Sequence, residues 1–190
     1  TDPPEAIVRR HLWPLVAAYV PGALIVDRTA LESRPAADGS IFVIADRKRD
    51  IILPGITIRS RRGAGPLDTD RPFVGRLLLS STARAWLDNM APSRRRAGEV
   101  SRTLSRDELV RRGGTDALNT IRDEARRIAP LLDRDEEFEA LDRMVGALLG
   151  TREDRLTTDR AKARGGGKPY DPDRIKLFEA LHSELRATAP

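Results

Sequence analysis

The chain has 190 residues, 39% hydrophobic and 33% charged, with a net charge of +5. That length suits one domain of ordinary size, or one small domain with a helical appendage. Aromatics make up only 4%, too few for a surface that stacks nucleic-acid bases. The absence of cysteine excludes disulfides and thiolate metal sites.

His11 and His182 lie far apart in sequence and suggest no shared metal site. No run reaches the roughly 18 apolar residues that span a bilayer. No charged-then-apolar leader is visible, so a cytoplasmic location and no membrane partner are expected. The first residue is Thr1 rather than Met, which suggests a trimmed terminus or a fragment. The charge excess is uneven. Residues 1–100 carry 16 basic and 11 acidic side chains, and residues 101–190 carry 18 of each. Thirty of the 34 basic residues are arginine, which suits bidentate contact with phosphate or carboxylate but also follows from a GC-rich genome.

Asp2 to Glu5 read as a helix start, and Ile7, Val8, Leu12, Leu15, Val16 and Tyr19 recur at helical spacing. Pro14 should kink or split this helix, and Pro21-Gly22 ends it. Trp13 reads as a packing residue. Residues 23–26 form a β-type run, and residues 27–32 a short helix with Asp27 or Thr29 near its N-cap. Asp38-Gly39 is a hairpin signal. Strands are expected over 41–44, 51–53, 56–58 and 73–79, with Asp46 to Asp50 and Pro54-Gly55 as turns. Short strands joined by short turns favour antiparallel pairing. Ser80 or Ser81 caps the helix that carries Ala83, Ala85, Trp86 and Leu87.

Residues 91–105 are polar and read as an exposed linker. Ser105 and Glu108 have the spacing of a capping box, and that helix ends at Gly113-Gly114. Thr115 caps a longer helix with Leu118, Ile121, Ala125, Ile128 and Leu132 on one face, closed by Pro130. A further helix runs from Asp135 to a C-cap at Gly150, with Phe138, Leu141, Val145 and Leu148 as its stripe. Residues 151–168 look turn-rich, with a flexible loop at Gly165 to Gly167. Asp171-Pro172 opens a last helix with Ile175, Phe178, Leu181 and Leu185 on one face.

The Gly-rich stretches, residues 63–66 and 165–167, match neither a P-loop nor the dinucleotide fingerprint. Asp133, Asp135, Glu136, Glu137 and Glu139 cluster at a helix start, where they complement the helix dipole; an acid/base pair or a divalent-metal site is the sharper alternative. The best binding candidate is the basic set Arg47, Lys48, Arg49, Arg59, Arg61, Arg62, Arg94, Arg95 and Arg96. Turns and strand ends of one sheet could bring these to one edge that contacts nucleic acid or a partner protein.

Gly55 to Arg59, Leu77 to Asn89 and Ala91 to Arg94 carry a resemblance, as do Thr115 to Asn119, Leu141 to Thr151 and Pro169 to Arg174. Together they resemble the N-terminal region of bacterial Fic-type (cell filamentation, AMP-transferring) proteins. The first 90 or so residues are also similar to an AbiEi-like antitoxin module, in which a small winged-helix unit precedes a β-rich domain.

The family signature His-Pro-Phe-x-x-Gly-Asn-Gly-Arg supplies a base, an anion-binding turn and a phosphate-binding Arg. Here His11 precedes Leu-Trp and His182 precedes Ser-Glu, so no catalytic residue carries over. The inhibitory motif with Glu before Gly or Asn is missing as well. The resemblance implies that the catalytic core would begin beyond Pro190, that ATP belongs only to that core, and that this chain needs no cofactor.

The expected fold is α+β: an N-terminal helix or degenerate winged-helix-like unit, a small mainly antiparallel sheet, then a helical segment. The expected division is an antitoxin-like module over 1–90, a linker over 91–105 and a helical segment over 106–190. The expected function is a non-catalytic accessory or regulatory region of a Fic-type protein. Its expected partners are the core in cis and a protein target. The alternative is a DNA-binding, antitoxin-like regulatory module.

Overall fold

A computed structural model describes residues 2–46, 49–93, 98–113 and 117–165. Helix α1 (Pro4–Arg10) starts on a proline, which lacks the N–H that a helix start leaves unpaired. Helix α2 (Leu12–Tyr19) follows after a break at His11, which has φ −108° and ψ 27°. The break falls one turn before Pro14, because that proline has no N–H for the Arg10 carbonyl and its ring would crowd it. Pro14 itself sits comfortably in the first turn of α2.

The sheet has six strands: β1 (Leu24–Ile25), β2 (Ser40–Ile44), β3 (Ile51–Leu53), β4 (Ile56–Arg61), β5 (Arg71–Pro72) and β6 (Leu78–Leu79). Their order is β3-β4-β2-β1-β6-β5. The α+β class stands, and the sheet is mixed. Three pairings are antiparallel, β1–β2, β3–β4 and β5–β6. The longest ladder, β2–β4, is parallel, and so is β1–β6. The turn at Pro54-Gly55 makes the expected β3–β4 hairpin. Asp38-Gly39 also turns, with the Ser40 N–H donating to Asp38 Oδ1 at 3.0 Å. It joins helix α3 (Asp27–Glu32) to β2 rather than two strands. The strand expected over 73–79 is interrupted. Gly75 adopts φ +63°, and the chain turns there between β5 and β6.

Strand β2 is buried along its whole length, as expected for a central strand covered on both faces. Its alternation sends Ile41 and Val43 to one side, where they join Ile25, Ile56 and Ile58 against Leu12 and Val16 of α2. Phe42 and Ile44 face the other way and pack with Leu24, Val26 and Ala36. The same period of two governs β4. Ile56 and Ile58 enter the first core, while Arg59 and Arg61 lie on the second face, level with Phe42 and Ile44.

Helix α4 (Thr82–Met90) starts at Ser81, whose Oγ accepts from the Arg84 N–H at 3.3 Å. A third core joins Trp86 and Leu87 of α4 to Leu104, to Leu109 of α5 (Arg106–Gly113), to Leu118, Ile121, Ala125 and Ile128 of α6 (Leu118–Leu132), and to Leu141 and Val145 of α7 (Asp135–Gly165). Ser105 and Glu108 form the reciprocal box read from their spacing. Glu108 Oε2 accepts from the Ser105 N–H at 2.8 Å, and Ser105 Oγ accepts from the Glu108 N–H at 3.3 Å.

Residues 98–105 are not a free linker. Leu104 is buried and its N–H donates to Asn89 Oδ1 at 2.7 Å; the Val100 N–H donates to Asp38 Oδ2 at 3.0 Å. Accordingly residues Thr1–Leu149 form one compact unit and Gly150–Pro190 a second, a division that falls elsewhere than at 91–105.

Gly150 does not cap a helix: α7 passes through it to Gly165. A glycine inside a helix costs about 1 kcal/mol against alanine, so Gly150 weakens α7 locally without ending it. Within the second unit, residues 155–160 of α7 are exposed. Asp27 and Thr29 do not cap α3; both are turned to other partners. The cap expected at Thr115, the loop after Gly165 and the helix expected from Asp171 lie outside the described residues.

Candidate functional site: a buried ion-pair hub

The period of two in Ile56-Thr-Ile-Arg-Ser-Arg61 decides where the two strand arginines go. With both isoleucines committed to the core under α2, Arg59 and Arg61 cross the opposite face, where α3, α4 and residues 98–100 meet them. Arg61 Nε and Nη2 donate to the two carboxylate oxygens of Asp27 at 3.1 and 3.0 Å. The same Nη2 reaches Asp88 Oδ1 of α4 at 3.0 Å. A third cation comes from the α6–α7 corner, where Arg134 Nη2 stands 3.8 Å from Asp88 Oδ1 and Nη1 pairs with Glu137 at 2.6 Å.

The side chain of Asp27 is 0% exposed and that of Asp88 7%. Two carboxylates this deep in the protein require the cations around them. Burial, and then the neighbouring Asp27 charge, push the Asp88 carboxyl above its ordinary range, against the pull of Arg61, Arg84 and Arg134. Burial alone would lower the Arg61 pKa. The Asp27 and Asp88 charges outweigh it and hold that guanidinium above its usual value. Asp27 also holds a left-handed backbone, φ +55°, a conformation that aspartate tolerates better than most residues.

A second buried pair lies one turn earlier on α4. Arg84 Nη1 meets Asp70 Oδ2 at 2.6 Å, and the two side chains are 2% and 0% exposed. Arg84 also donates to the carbonyls of Ala64 and Gly65. Asp70 accepts from the N–H groups of Leu67 and Ser81, both at 2.8 Å. The 63–72 loop is thereby stitched to the start of α4. A third junction centres on Glu32, which accepts from Arg28 of α3 and Arg112 of α5.

Arg59 and Arg61 thus do not belong to an open basic edge. Around Arg59 stand Ser40 Oγ at 2.8 Å, Asp50 and Glu99 at 3.2 Å, and Asp38 at 4.0 Å. Arg49 and Arg62 are exposed, and neither makes an ion pair among the described residues. Arg47, Lys48, Arg94, Arg95 and Arg96 lie outside the described residues.

The acidic cluster at the start of α7 is not one site either. Glu137 pairs with Arg134, Glu139 with Arg143, and among the described residues no group of three or more His, Asp or Glu side chains is placed to hold a metal ion. Asp27, Asp88, Arg84, Asp70 and Arg134 were the residues that sequence patterning missed. The one local cue lies in α4, where Arg84 and Asp88 sit among the apolar residues Ala83, Ala85, Trp86 and Leu87.

Among the described residues no helix is long and apolar enough to cross a membrane. Comparison with protein-family models, curated proteins and solved structures gives no match.

Proposed function

We propose that this chain is a non-catalytic, cytoplasmic accessory region of a Fic-type AMP-transferring protein, which positions or regulates a core supplied in cis. The observation that carries the reading is the internal use of charge. Two of the segments with the resemblance, residues 55–59 and 77–89, cover most of β4 and α4 and all of β6. Arg59, Arg84 and Asp88 within them, with Arg61 beside them, all pair inside the protein. That supports a stiff scaffold, in which the sheet and the helical layer are locked together, rather than a reactive cleft. ATP would then belong to the core alone.

The test is AMP transfer from labelled ATP, comparing this 190-residue chain with a longer gene product that continues past Pro190 and carries the His-Pro-Phe signature. The reading expects transfer from the longer protein only. Transfer by the shorter chain refutes it.

Duplex DNA is the second reading, favoured by Arg49 and Arg62, which are exposed and make no ion pair among the described residues. It expects binding that weakens steeply with salt and a shallower salt slope in Arg62→Ala. A flat titration at low salt removes it.

A further inference from the structure

The two ends of the sheet are built differently. At one end β5 presents Arg71 and Pro72, a charge and a residue without an N–H, both of which discourage a further strand. At the other end β3 reads Ile51-Ile52-Leu53, and among the described residues no strand pairs with its outer side. Ile52 is 80% exposed. The ladder shows which backbone groups face outward there. Ile52 stands opposite Thr57, and the Thr57 N–H donates to the Gly39 carbonyl at 3.0 Å, on the β2 side. The bonded pairs of the β3–β4 hairpin are therefore Ile51–Ile58 and Leu53–Ile56, and the N–H and C=O of Ile52 point away from β4. An apolar edge residue with an outward donor and acceptor is a template for another strand.

We propose that this edge is a dimer contact, in which β3 pairs antiparallel with β3 of a second copy of this chain about a two-fold axis at Ile52. The inference is independent of the accessory reading. In this register each Ile52 N–H donates to the Ile52 carbonyl of the other copy. The two Ile52 side chains meet on the face that carries Thr57 and Arg59. Ile51 stands opposite Leu53 of the second copy, and Arg49 opposite its Gly55.

The charges fit that register. Glu5 of α1 lies against Gly55: a Cβ on the glycine would be 3.3 Å from the Glu5 Cβ and Cγ. Asp50 pairs with Arg59 on the Ile52 face, so the residue before it falls on the α1 side of the sheet. Arg49 and Glu5 are both exposed, and neither makes an ion pair among the described residues. The two-fold pairing brings each Arg49 to the Glu5 of the other copy, so opposite charges meet at both ends of the contact. An isologous interface needs this self-complementarity. A strand from an unrelated protein would have to bring its own acid and base at the same spacing.

The experiment uses the full 190-residue chain. Sedimentation velocity from about 1 μM to about 1 mM should show a reversible monomer–dimer step. Over the same range hydrogen exchange at the Ile52 N–H should slow, while the Thr57 N–H, already bonded within one chain, should not change. Ile52→Lys sets two like charges face to face at the axis and should abolish the dimer; because Ile52 is exposed, the urea midpoint of the monomer should stay in place. Arg49→Glu and Glu5→Arg should each weaken the dimer about tenfold. An equimolar mixture of those two variants should recover it, because the mixed pair again sets acid against base at both ends. A chain that stays monomeric throughout overturns the proposal and leaves the edge to a strand of another protein. A dimer that leaves Ile52 exchange unaltered overturns it too, as does a mixture that associates no better than its components. The first two results need no substitution, so they hold whatever a variant does to folding.

Discussion

Asp27 and Arg61, 34 residues apart, form a two-point ion pair at 3.0 and 3.1 Å beneath the helical layer. Arg61→Met would leave Asp27 and Asp88 buried with no direct cation between them. Removing one partner from such a pair costs about 3–5 kcal/mol. Urea unfolding should show that loss. Asp27→Asn, which keeps an acceptor and tolerates the left-handed backbone, should lose distinctly less. Equal losses in the two variants would mean that the charge is not what matters at this position.

Arg84 makes a second, separable prediction. Its pairing with Asp70 and with the Ala64 and Gly65 carbonyls anchors the 63–72 loop. Arg84→Met should also cost about 3–5 kcal/mol, and it should raise amide exchange across 63–72 before it affects β2. Protection of that loop should stay near the original level if Arg84 only fills space.

Acid dependence should run in two directions at once. Asp38 and Glu108 lie below their ordinary range. For Asp38, burial would raise the value, but the Val100 and Ser40 N–H groups prevail; for Glu108 the Ser105 N–H leads. Their contributions are therefore present above the unfolded carboxylate pKa, and they fade as pH falls through the lower folded values. Asp88 is raised, so the folded state binds the extra proton. Its term weakens the fold as pH rises from the unfolded value through the folded one. Asp88→Asn should remove that loss on the neutral side, and Asp38→Asn should flatten the acid limb. Urea midpoints measured against pH separate the two; an unchanged profile in Asp88→Asn contradicts the assignment.

Two glycines with positive φ should respond unequally to alanine. Gly22, φ +77°, has open space where a Cβ would go, so Gly22→Ala meets only the backbone penalty of about 1–2 kcal/mol. Gly39, φ +81°, would press a Cβ into the Gly55 carbonyl of the neighbouring hairpin. Gly39→Ala should therefore cost more than Gly22→Ala in thermal unfolding, and similar values would argue that the hairpin yields.

Local chemistry was legible in the sequence. The bounds of α3, the Ser81 cap, the Ser105–Glu108 box and the Pro54-Gly55 hairpin each depend on a few adjacent residues. The β2–β4 pairing was not, because β4 inserts between β2 and β3, and nothing near either strand announces a parallel neighbour. The burial of Ile56 and Ile58 could be read from their alternation with Thr57 and Arg59. What covers the arginine face could not, since Asp27, Asp88 and Glu99 lie 34, 27 and 40 positions from the arginines they meet. An arginine pair in a strand reads as a surface until its carboxylates are placed. Gly150 misled for the opposite reason. A helix end was inferred from one residue, whereas the run that follows it keeps the helix going.

The central claim is that sheet and helical layer act as one scaffold, joined through Asp27, Arg61, Asp88 and Arg134. The chain holds two tryptophans, one on each side of that junction. Trp13 packs edge-on to Phe73 at 5.1 Å beside the sheet core, and Trp86 lies in the core of α4, α6 and α7. Equilibrium urea unfolding of Trp13→Phe and Trp86→Phe, each followed by its remaining tryptophan and by circular dichroism, tests the claim directly. One scaffold predicts that within each variant the fluorescence and dichroism transitions coincide. A tryptophan that reports its own side unfolding while the dichroism of the rest persists would show two independent units and contradict it.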